Sequence, residues 1–599
     1  MVARVDIIEP QQAGTLCGLF RERVRRSPDK CAFRFFSSVD SQWQARTWGE
    51  MAVGVACWQA ALTSEKLSPG DRVAIMLNNC IEWVLFEQAA LGSGLVIVPL
   101  YMNDRPDNVG YILHDANVKV LLIHGQEQWQ QLKPIREQLS KLTRVLSITA
   151  VREHTTDNLQ SIERWLAGQT GELRVPQAAS HAMATIVYTS GTTGRPKGVM
   201  LSHHNILWDA HSAMKSVPCY ADDVFLSFLP LSHTLERTAG YYLPMMAGAT
   251  IAYARSIPQL AEDLVTIKPT VLISVPRIFE RIALKVRSAL TEKRGLAALL
   301  FEAAVAVGWN EFLYRQGKAP WHPSLLAWPI LKAAVAAKIL NRLGGRLRLA
   351  VCGGAPLPPA VAKVFIGLGL PLVQGYGMTE TSPIVSVNTL DDNDPASVGA
   401  PLQDVGVRIG ESDELLVNGP GLMLGYWNNP EATRAVIDSE GWLHTGDRAR
   451  IENKHIYIIG RLKEIIVLAN GEKIPPADME AAILEETLFE QAMVIGECKP
   501  YLSALIVLNA ERWKLYAKNF DSKQSPEAII SSKEAHALVL EKIAARLNNF
   551  PGYAQIRRVA LQLEPWTVDN ELLTPTLKLR RARILDRFNA DVEKLYHGH

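Results

Sequence analysis

The sequence has few cysteines and little net charge. Its seven cysteines in 599 residues show neither the paired spacing of a zinc site nor the density of a disulfide framework. We therefore expect no Cys/His metal site and a reducing, cytoplasmic location. The net charge is only +2, and no basic stripe interleaved with aromatic residues is present, so nucleic acid is not an expected partner.

Long apolar runs are also missing. The first thirty residues carry charges throughout and lack the apolar core of a secretory signal. No run approaches the eighteen or so apolar residues of a membrane span. The nearest candidate, residues 296–343, holds two apolar pieces separated by Pro320 and Pro323, each expected to be too short to span. We expect buried or half-buried helices here, with peripheral contact on the cytoplasmic face of a membrane as the alternative.

What the sequence does contain is an alternation of strand-like and helical patterns up to about residue 400. Such alternation predicts an α/β fold with layered parallel sheets buried on both faces. From about residue 400 to 460, short strands with turn residues predict a β-rich subdomain. The remaining residues, 461–599, have strand and helix signals of their own and suit a small separate α+β domain. The expected division is therefore 1–460 and 461–599.

Residues 188–198 read "YTSGTTGRPKG". Small residues, hydroxyls, Arg195 and Lys197 suit a loop that wraps a polyphosphate, although such clusters also occur as plain surface loops. The pattern is not the usual P-loop, because an apolar run follows Lys197 where a helix should begin. We expect the loop to join two strands, with Asn205 as the N-cap of a later helix over 206–214.

Two further stretches suit a nucleotide. In "VQGYGMTETSP", residues 373–383, Tyr376 between two glycines suits a flat purine, and Glu380 is a hard oxygen ligand for Mg²⁺. In "GWLHTGD", residues 441–447, Asp447 suits ribose hydroxyls. Taken alone, each stretch is also compatible with an ordinary turn.

Taken together, these stretches resemble the motifs of the adenylate-forming superfamily, which contains acyl-CoA synthetases, luciferases and nonribosomal-peptide adenylation domains. The resemblance extends through "CGGAPLPP" at 352–359, "GRLKEIIVLANGEKIPPADME" at 460–480 and "LTPTLKLRR" at 573–581. With "VPRIFERI" at 275–282 and the helical insertion that follows, the chain looks most like a long-chain fatty acyl-CoA synthetase.

The resemblance implies a large N-terminal domain, a small mobile C-terminal domain and two half-reactions. A fatty acid and MgATP give an acyl-adenylate and pyrophosphate, and coenzyme A then displaces AMP. The implied catalytic residues are Lys578, Glu380 and Lys197, and Thr189 and Glu380 would hold the Mg²⁺. The implied ATP- and AMP-binding residues are Thr189, Ser190, Gly191, Thr192, Thr193, Gly194, Gly354, Ala355, Pro356, Gln374, Gly375, Tyr376, Thr379, Asp447 and Arg461.

The same resemblance places a hinge at Lys463 and turns Gly471 toward the thiol after rotation of the C-terminal domain. His233 would lie near the carboxylate end of the acyl tunnel, and Arg237 stands where some bacterial relatives carry a tryptophan gate. Other outcomes stay open at this point. They are a ligase for medium-chain or aromatic acids, an acyl-AMP ligase that feeds a carrier protein, and a catalytically silent fatty-acid-binding protein.

Overall fold

The structure, a computed structural model, describes residues 6–152, 158–176, 179–189, 195–292, 295–469, 472–517, 520, 529–548, 550–552, 554–574 and 578–597. Its strands, in chain order, are β1 (Cys31–Ser37), β2 (Gln42–Thr47), β3 (Arg72–Met76), β4 (Val96–Pro99), β5 (Val118–Ile123), β6 (Arg144–Ser147), β7 (Leu159–Ser161), β8 (Met183–Thr189), β9 (Lys197–Ser202), β10 (Val224–Ser227), β11 (Thr250–Tyr253), β12 (Val271–Ser274), β13 (Leu349–Cys352), β14 (Leu372–Gly377), β15 (Ile384–Val387), β16 (Ala400–Pro401), β17 (Gly406–Ile409), β18 (Glu414–Asn418), β19 (Gly425–Tyr426), β20 (Leu443–Glu452), β21 (His455–Arg461), β22 (Ile466–Val467), β23 (Lys473–Ile474), β24 (Phe489–Ile495), β25 (Leu502–Leu508) and β26 (Ile556–Gln562).

The helices of eight or more residues are α1 (Leu16–Arg26), α2 (Trp48–Ser64), α3 (Ile81–Gly92), α4 (Pro106–Asp115), α5 (His203–Ser216), α6 (Leu260–Ile267), α7 (Pro276–Glu292), α8 (Leu296–Arg315), α9 (Pro359–Gly367), α10 (Pro476–Ile483), α11 (Ala510–Ala517), α12 (Lys533–Arg546) and α13 (Asn589–Tyr596). Shorter helical segments are Pro10–Ala13, Gln126–Gln131, Lys133–Ile135, Arg136–Leu139, Ile162–Leu166, Glu236–Tyr242, Leu243–Ala247, Pro323–Ala327, Trp328–Leu331, Lys332–Ala336, Ala337–Leu340, Asn341–Leu343, Thr379–Thr381, Glu411–Asp413, Pro430–Arg434, Leu462–Glu464 and Arg581–Arg587.

Two large sheets form the N-terminal part of the molecule. One has the strand order β19-β9-β8-β4-β3-β5-β6-β7, and the other has the order β16-β15-β14-β13-β12-β10-β11-β1-β2. The central strands of both sheets are parallel, the pairs β8–β9 and β14–β15 are antiparallel, and β4 and β12 are buried along their whole length. This confirms the predicted α/β class with buried parallel strands, because the helices between the strands cover both sheet faces.

The glycine-rich stretch lies between β8 and β9, which pair antiparallel with Thr189 opposite Lys197. The predicted strand–loop–strand arrangement is therefore confirmed. The predicted helix start was wrong. Helix α5 begins at His203, and its cap is Ser202, whose hydroxyl accepts the N–H of Asn205 at 3.1 Å. Asn205 is the third residue of this capping box, and its side chain bonds back to the backbone of Ser202. It therefore carries the chemistry of a cap although it lies inside the helix.

Beyond residue 400 the architecture changes as expected. Strands β17, β18, β20 and β21 form an antiparallel four-stranded sheet over residues 406–461. After it, β24, β25 and β26 form a three-stranded sheet covered by α10 and α12. Apolar clusters between residues 466 and 596 form the core of this last part, which matches the predicted smaller α+β domain.

The apolar insertion folds as a helical hairpin. Helix α8 has 20 residues, and the segments from Pro323 to Leu343 form a second continuous run of 21 residues. By length and composition alone, both could cross a bilayer, so the expectation that each piece is too short was wrong. The turn around Pro320 and Pro323 lies between the helices and shortens neither, because proline is tolerated in the first turn of a helix.

Candidate active site

The predicted phosphate-binding loop is anchored by its two ends. Its central residues Ser190, Gly191, Thr192, Thr193 and Gly194 lie outside the described residues, whereas Thr189 and Lys197 close the ladder between β8 and β9. The next residue must be small, since a Cβ on Gly198 would lie 2.7 Å from Ile186 Cγ2 and 3.0 Å from the Tyr188 ring. This close packing fixes the backbone next to Lys197, and with it the point at which the Lys197 side chain leaves the sheet.

Tyr426, on the short strand β19, connects two of the predicted catalytic residues. Its hydroxyl donates to Glu380 Oε1 at 2.8 Å, and the Lys197 ammonium lies 5.0 Å from the centroid of its ring. Glu380 is buried, and its backbone oxygen accepts the N–H of Met423 at 2.9 Å. Burial and the Glu380 charge raise the pKa of Tyr426, so the phenol stays a proton donor. The structure thus brings Lys197 and Glu380 to one tyrosine.

Sequence reasoning missed Tyr426. No charged or metal-ligating residue marks the segment "GYWNNP" around it. Tyr426 reaches the site because β19 pairs antiparallel with β9, with Gly425 opposite Met200. The paired residues are more than 220 positions apart in the sequence. The available signal was the Gly-Tyr pair itself. Gly425 has φ of +132°, a conformation that glycine favours and that sets the tyrosine beside β9.

The predicted adenine-binding residues lie where β13 and β14 end. Gly354 has φ of +80°, which favours glycine in the turn that carries Ala355 and Pro356. Gln374 is buried in β14, where its side-chain oxygen accepts the N–H of Leu357 at 3.2 Å and its amide donates to the backbone of Pro395. Gln374 therefore ties the turn to the sheet. These strands are neighbours and parallel, and ligands of α/β proteins bind at this edge.

A chain of polar groups runs from Tyr376 to Arg461. The Tyr376 hydroxyl donates to Asp447 Oδ2 at 2.5 Å, and Arg461 Nε lies 3.1 Å from the other carboxylate oxygen. Asp447 and Arg461 are also register partners on β20 and β21. Burial and the Asp447 charge raise the pKa of Tyr376, which keeps its hydroxyl a donor. The structure therefore joins predicted nucleotide residues from three motifs in a single network.

Gly375 and Thr379 complete the predicted nucleotide set. A Cβ on Gly375 would lie 3.1 Å from the backbone oxygen of Ser386, so a larger residue would crowd the neighbouring strand β15. The hydroxyls of Thr379 and Thr234 lie 3.5 Å apart. Thr234 follows the predicted acyl residue His233, so this contact joins the nucleotide side of the site to its acyl side.

Lys578 reaches this network from the C-terminal part of the chain. The Lys578 N–H donates to the Thr574 hydroxyl at 3.0 Å, and Leu573 bridges Leu579 across the turn. Lys578 as a whole is an exposed residue. Desolvation by the surrounding protein and the positive charge of Arg461 lower its pKa, although Asp447, Glu464 and Glu380 act in the opposite direction. Lys578 is thus near the ribose- and metal-binding candidates.

The charge of Lys578 also acts on His233. Burial, and then the Lys578 charge, lower the pKa of His233 to about 4. Its Nδ1 accepts the N–H of Leu235 at 3.2 Å, which places the imidazole proton on Nε2. At neutral pH His233 is therefore uncharged, and Lys578 is the cation at this point.

Arg237 is fully buried under the large sheets. Its Nε donates to Glu87 at 2.7 Å, and Nη1 donates to the Thr185 hydroxyl at 2.9 Å. Its neighbour Glu236 is also buried, and desolvation raises the pKa of that carboxyl to about 8. A gating movement of Arg237 would have to leave the Glu87 charge buried without its partner, at a cost of several kcal/mol (about 3–5). A fixed side chain fits this environment better than a moving gate.

The predicted hinge and thiol-side residues are only partly described. The backbone of Lys463 lies in the short helical segment Leu462–Glu464, directly after β21, whereas Gly471 lies outside the described residues. Within the described residues, the two parts of the chain also meet at an ion pair, with Arg105 Nη2 2.8 Å from Glu571 Oε1. The C-terminal part is thus held against the larger part with Lys578 turned toward the site.

Comparison with known proteins agrees with this geometry. Residues 20–427 match the family described as AMP-binding enzyme, and residues 463–599 match the AMP-binding enzyme C-terminal domain. The long-chain-fatty-acid–CoA ligase FadD15 of Mycobacterium bovis is 32% identical over 589 residues, which cover 96% of each chain. The chloroplastic long-chain-fatty-acid–[acyl-carrier-protein] ligase AEE15 of Arabidopsis thaliana is 28% identical over 590 residues, covering 88% of this chain and 79% of the relative.

The fold is shared with solved structures as well. The crystal structure of the anthranilate CoA ligase AuaEII in complex with anthranoyl-AMP superposes with a TM-score of 0.72. The identity is 19%, and the alignment covers 97% of this chain and 98% of the other. At this identity the likeness concerns the fold, and it covers both the large and the small part of the molecule.

Proposed function

Because the chain belongs to the AMP-binding enzyme family and is an AMP-forming acid:CoA ligase that uses ATP, Mg²⁺ and coenzyme A, we propose that its acid is a long-chain fatty acid. The product is then a fatty acyl-CoA, formed with release of AMP and pyrophosphate. The proposal rests on one observation, namely that the alignment with a long-chain ligase covers 96% of both chains.

In the first half-reaction, a carboxylate oxygen of the fatty acid attacks the α-phosphorus of ATP, and pyrophosphate leaves. Both partners are anions, so their approach requires a cation between them. Lys578 would supply it, because the charges of Arg461, Asp447 and Glu380 all act on its ammonium. The negative charge of the two substrates favours its protonated form and offsets the lowering of its pKa in the free protein.

Pyrophosphate is held on the opposite side of the site. Arg195 and Lys197 lie at the end of the loop, and each cation stacks on a tyrosine ring, Tyr111 and Tyr426 respectively. Two cations fixed in this way oppose the charge that builds up as pyrophosphate departs. Glu380 and Thr189 fit a Mg²⁺ site, since a carboxylate and a hydroxyl are hard oxygen donors, and the ion would neutralise phosphate charge there.

In the second half-reaction, the sulfur of coenzyme A loses its proton and attacks the acyl carbon, the bond between that carbon and the phosphate oxygen breaks, and AMP leaves with the bonding electrons on its phosphate oxygen. Lys578 fills the approach to the acyl-adenylate, so it must withdraw first. The C-terminal part is suited to turning as a unit, because its apolar core is its own and Leu462–Glu464 provides a short connection.

A panel of carboxylic acids of graded chain length tests the proposal. Pyrophosphate release and CoA thioester formation are measured in parallel for each acid, with acyl carrier protein as a second acceptor. We expect both signals to be strongest with long chains and coenzyme A. Best turnover with medium-chain or aromatic acids would overturn the chain-length assignment. Transfer to carrier protein in preference to coenzyme A would instead identify an activity like the one for which AEE15 is named.

A further inference from the structure

The apolar hairpin, residues 296–343, is held on the surface of the large domain by one face only. From α8, Phe301 and Val305 are buried, and from the second run Trp328 and Ala336 are buried. They pack with Val364 and Leu368, at and beyond helix α9. This inner face accounts for the stability of the hairpin, and it leaves the outer faces of both helices without a protein partner among the described residues.

Those outer faces are largely apolar too, with Glu302 and Asn310 as exposed polar residues on α8. Leu326 and Ile330 are each 73% exposed and lie one helical turn apart. On α8, Leu296, Leu299 and Leu300 are exposed at the same kind of spacing. An ordinary surface helix carries polar residues on its outer face, and a helix that is apolar all round is normally enclosed by protein or by lipid. These helices are therefore built to be covered on both sides.

The charge around the hairpin indicates what covers it. The hairpin itself, residues 296–343, contains five basic and two acidic residues, whereas the whole chain of 599 residues has a net charge of only +2. Exposed basic residues, among them Arg315, Lys332, Lys338 and Arg342, lie along the hairpin and at its ends. A basic rim around an apolar face matches the surface of a bilayer that contains anionic lipid.

The way the hairpin is attached argues for lying on the bilayer rather than crossing it. At the contact between α8 and α9, a Cβ on Gly308 would lie 1.8 Å from the backbone oxygen of Gly367. The two backbones therefore touch, and the Trp328 ring packs beside the same glycine. Lipid cannot surround a helix that is held so closely against the globular domain.

We propose that the outer face of the apolar hairpin is a membrane-docking surface, and that its partner is a lipid bilayer containing anionic headgroups. Leu299, Leu326 and Ile330 enter the boundary between headgroups and acyl chains, while the basic rim contacts the headgroups. The proposal does not depend on which acid is activated, since docking is measured without substrate. Failure of the long-chain assignment and failure of docking are therefore separate results.

Flotation of the full-length protein with vesicles tests the proposal. The vesicles contain phosphatidylcholine alone or phosphatidylcholine and phosphatidylglycerol in equal parts, at low and at high salt. The test variants are the double substitution Leu326→Ser with Ile330→Ser, and the double substitution Lys332→Glu with Lys338→Glu. The matched controls change exposed residues far from the hairpin, Leu515→Ser and Lys141→Glu with Lys215→Glu. Melting temperature and pyrophosphate release confirm that each variant is folded.

We expect the wild-type protein and the controls to float with anionic vesicles and to float less at high salt, because salt screens the basic rim. Each hairpin variant should bind at least about tenfold more weakly, since it loses either apolar insertion or charge attraction.

Three results would overturn the proposal. They are no flotation at low salt, flotation of both hairpin variants at the wild-type level, and resistance to alkaline extraction, which indicates a spanning helix. Loss of self-association in the apolar variant, without vesicle binding by the wild type, would assign the surface to a second copy instead.

Discussion

At the scale of single residues, the site depends on side chains whose neighbours come from distant parts of the sequence. Lys578 is influenced by Arg461, Asp447 and Glu380, and it in turn lowers the pKa of His233. Few of these pairs are close in the sequence, so it is the fold that brings the interacting residues together. Substitutions at this scale should therefore change one half-reaction and leave the other intact.

Replacing Lys578 with alanine should abolish most pyrophosphate release. Losing one preorganised donor typically costs about 10²- to 10³-fold in rate, because two anions must then meet without a cation between them. Transfer of a supplied acyl-adenylate to coenzyme A should survive, since Lys578 is withdrawn in that step. The two rates are measured separately, and equal loss of both would contradict the assignment.

Replacing Tyr426 with phenylalanine should weaken the use of Mg²⁺. The change keeps the ring beneath the Lys197 ammonium but removes the hydrogen bond to Glu380, and a bond to a charged group contributes about 1.5–3 kcal/mol. The concentration of Mg²⁺ that gives half-maximal pyrophosphate release should rise by roughly 10-fold or more. Tyr111→Phe is the matched control, because Tyr111 stacks on Arg195. A rise of the same size in both variants would argue against a special role for Tyr426.

At the scale of elements, sequence periodicity located the strands well and the helix ends less well. The sequence has apolar runs at 73–77, 95–98 and 120–123, where the structure has β3, β4 and β5, because buried parallel strands leave a continuous apolar signal. Asn205 was mistaken for a cap because the third residue of a capping box carries the same chemistry as the cap. Tyr426 had only the weak local signal of the Gly-Tyr pair, since the pairing of β19 with β9 is what brings it to Glu380. The role of Lys578 came from the resemblance, because no local pattern places it beside Asp447.

The connection Leu462–Glu464 is the element on which alternation between half-reactions should depend. Lys463→Pro should preserve pyrophosphate release and stall thioester formation, because proline fixes φ near −65° and restricts the residue before it. Lys463→Ala is the control, since it removes the side chain and leaves the backbone free to turn. Stopped-flow measurement of both half-reactions separates these outcomes, and unchanged overall turnover in the proline variant would count against a hinge.

At the scale of the whole molecule, the ion pair between Arg105 and Glu571 holds the two parts in the orientation that presents Lys578. The pair is partly exposed, so its contribution is modest, about 0.2–1 kcal/mol. Arg105→Glu should therefore slow pyrophosphate release a few-fold, and the swap Arg105→Glu with Glu571→Arg should restore it. Transfer from a supplied acyl-adenylate should not slow in either variant.

Asp107 provides the control for this cycle. It also approaches Arg105, at 3.4 Å, but it belongs to the same part of the chain, so Asp107→Asn leaves the contact between the parts in place. Pyrophosphate release should be close to normal in that variant. Failure of the charge swap to restore the rate would mean that Arg105 acts in some way other than through Glu571.

The separate apolar clusters of the C-terminal part have a consequence for how the molecule responds to heat. Within the described residues, these clusters contain side chains from 466 to 596 and none from the larger part. Each part therefore has its own apolar core and can unfold separately. The free protein should show two heat-absorption peaks in a calorimeter. A tightly bound acyl-adenylate that touches both Asp447 and Lys578 stabilises both at once, so it should draw the two peaks together.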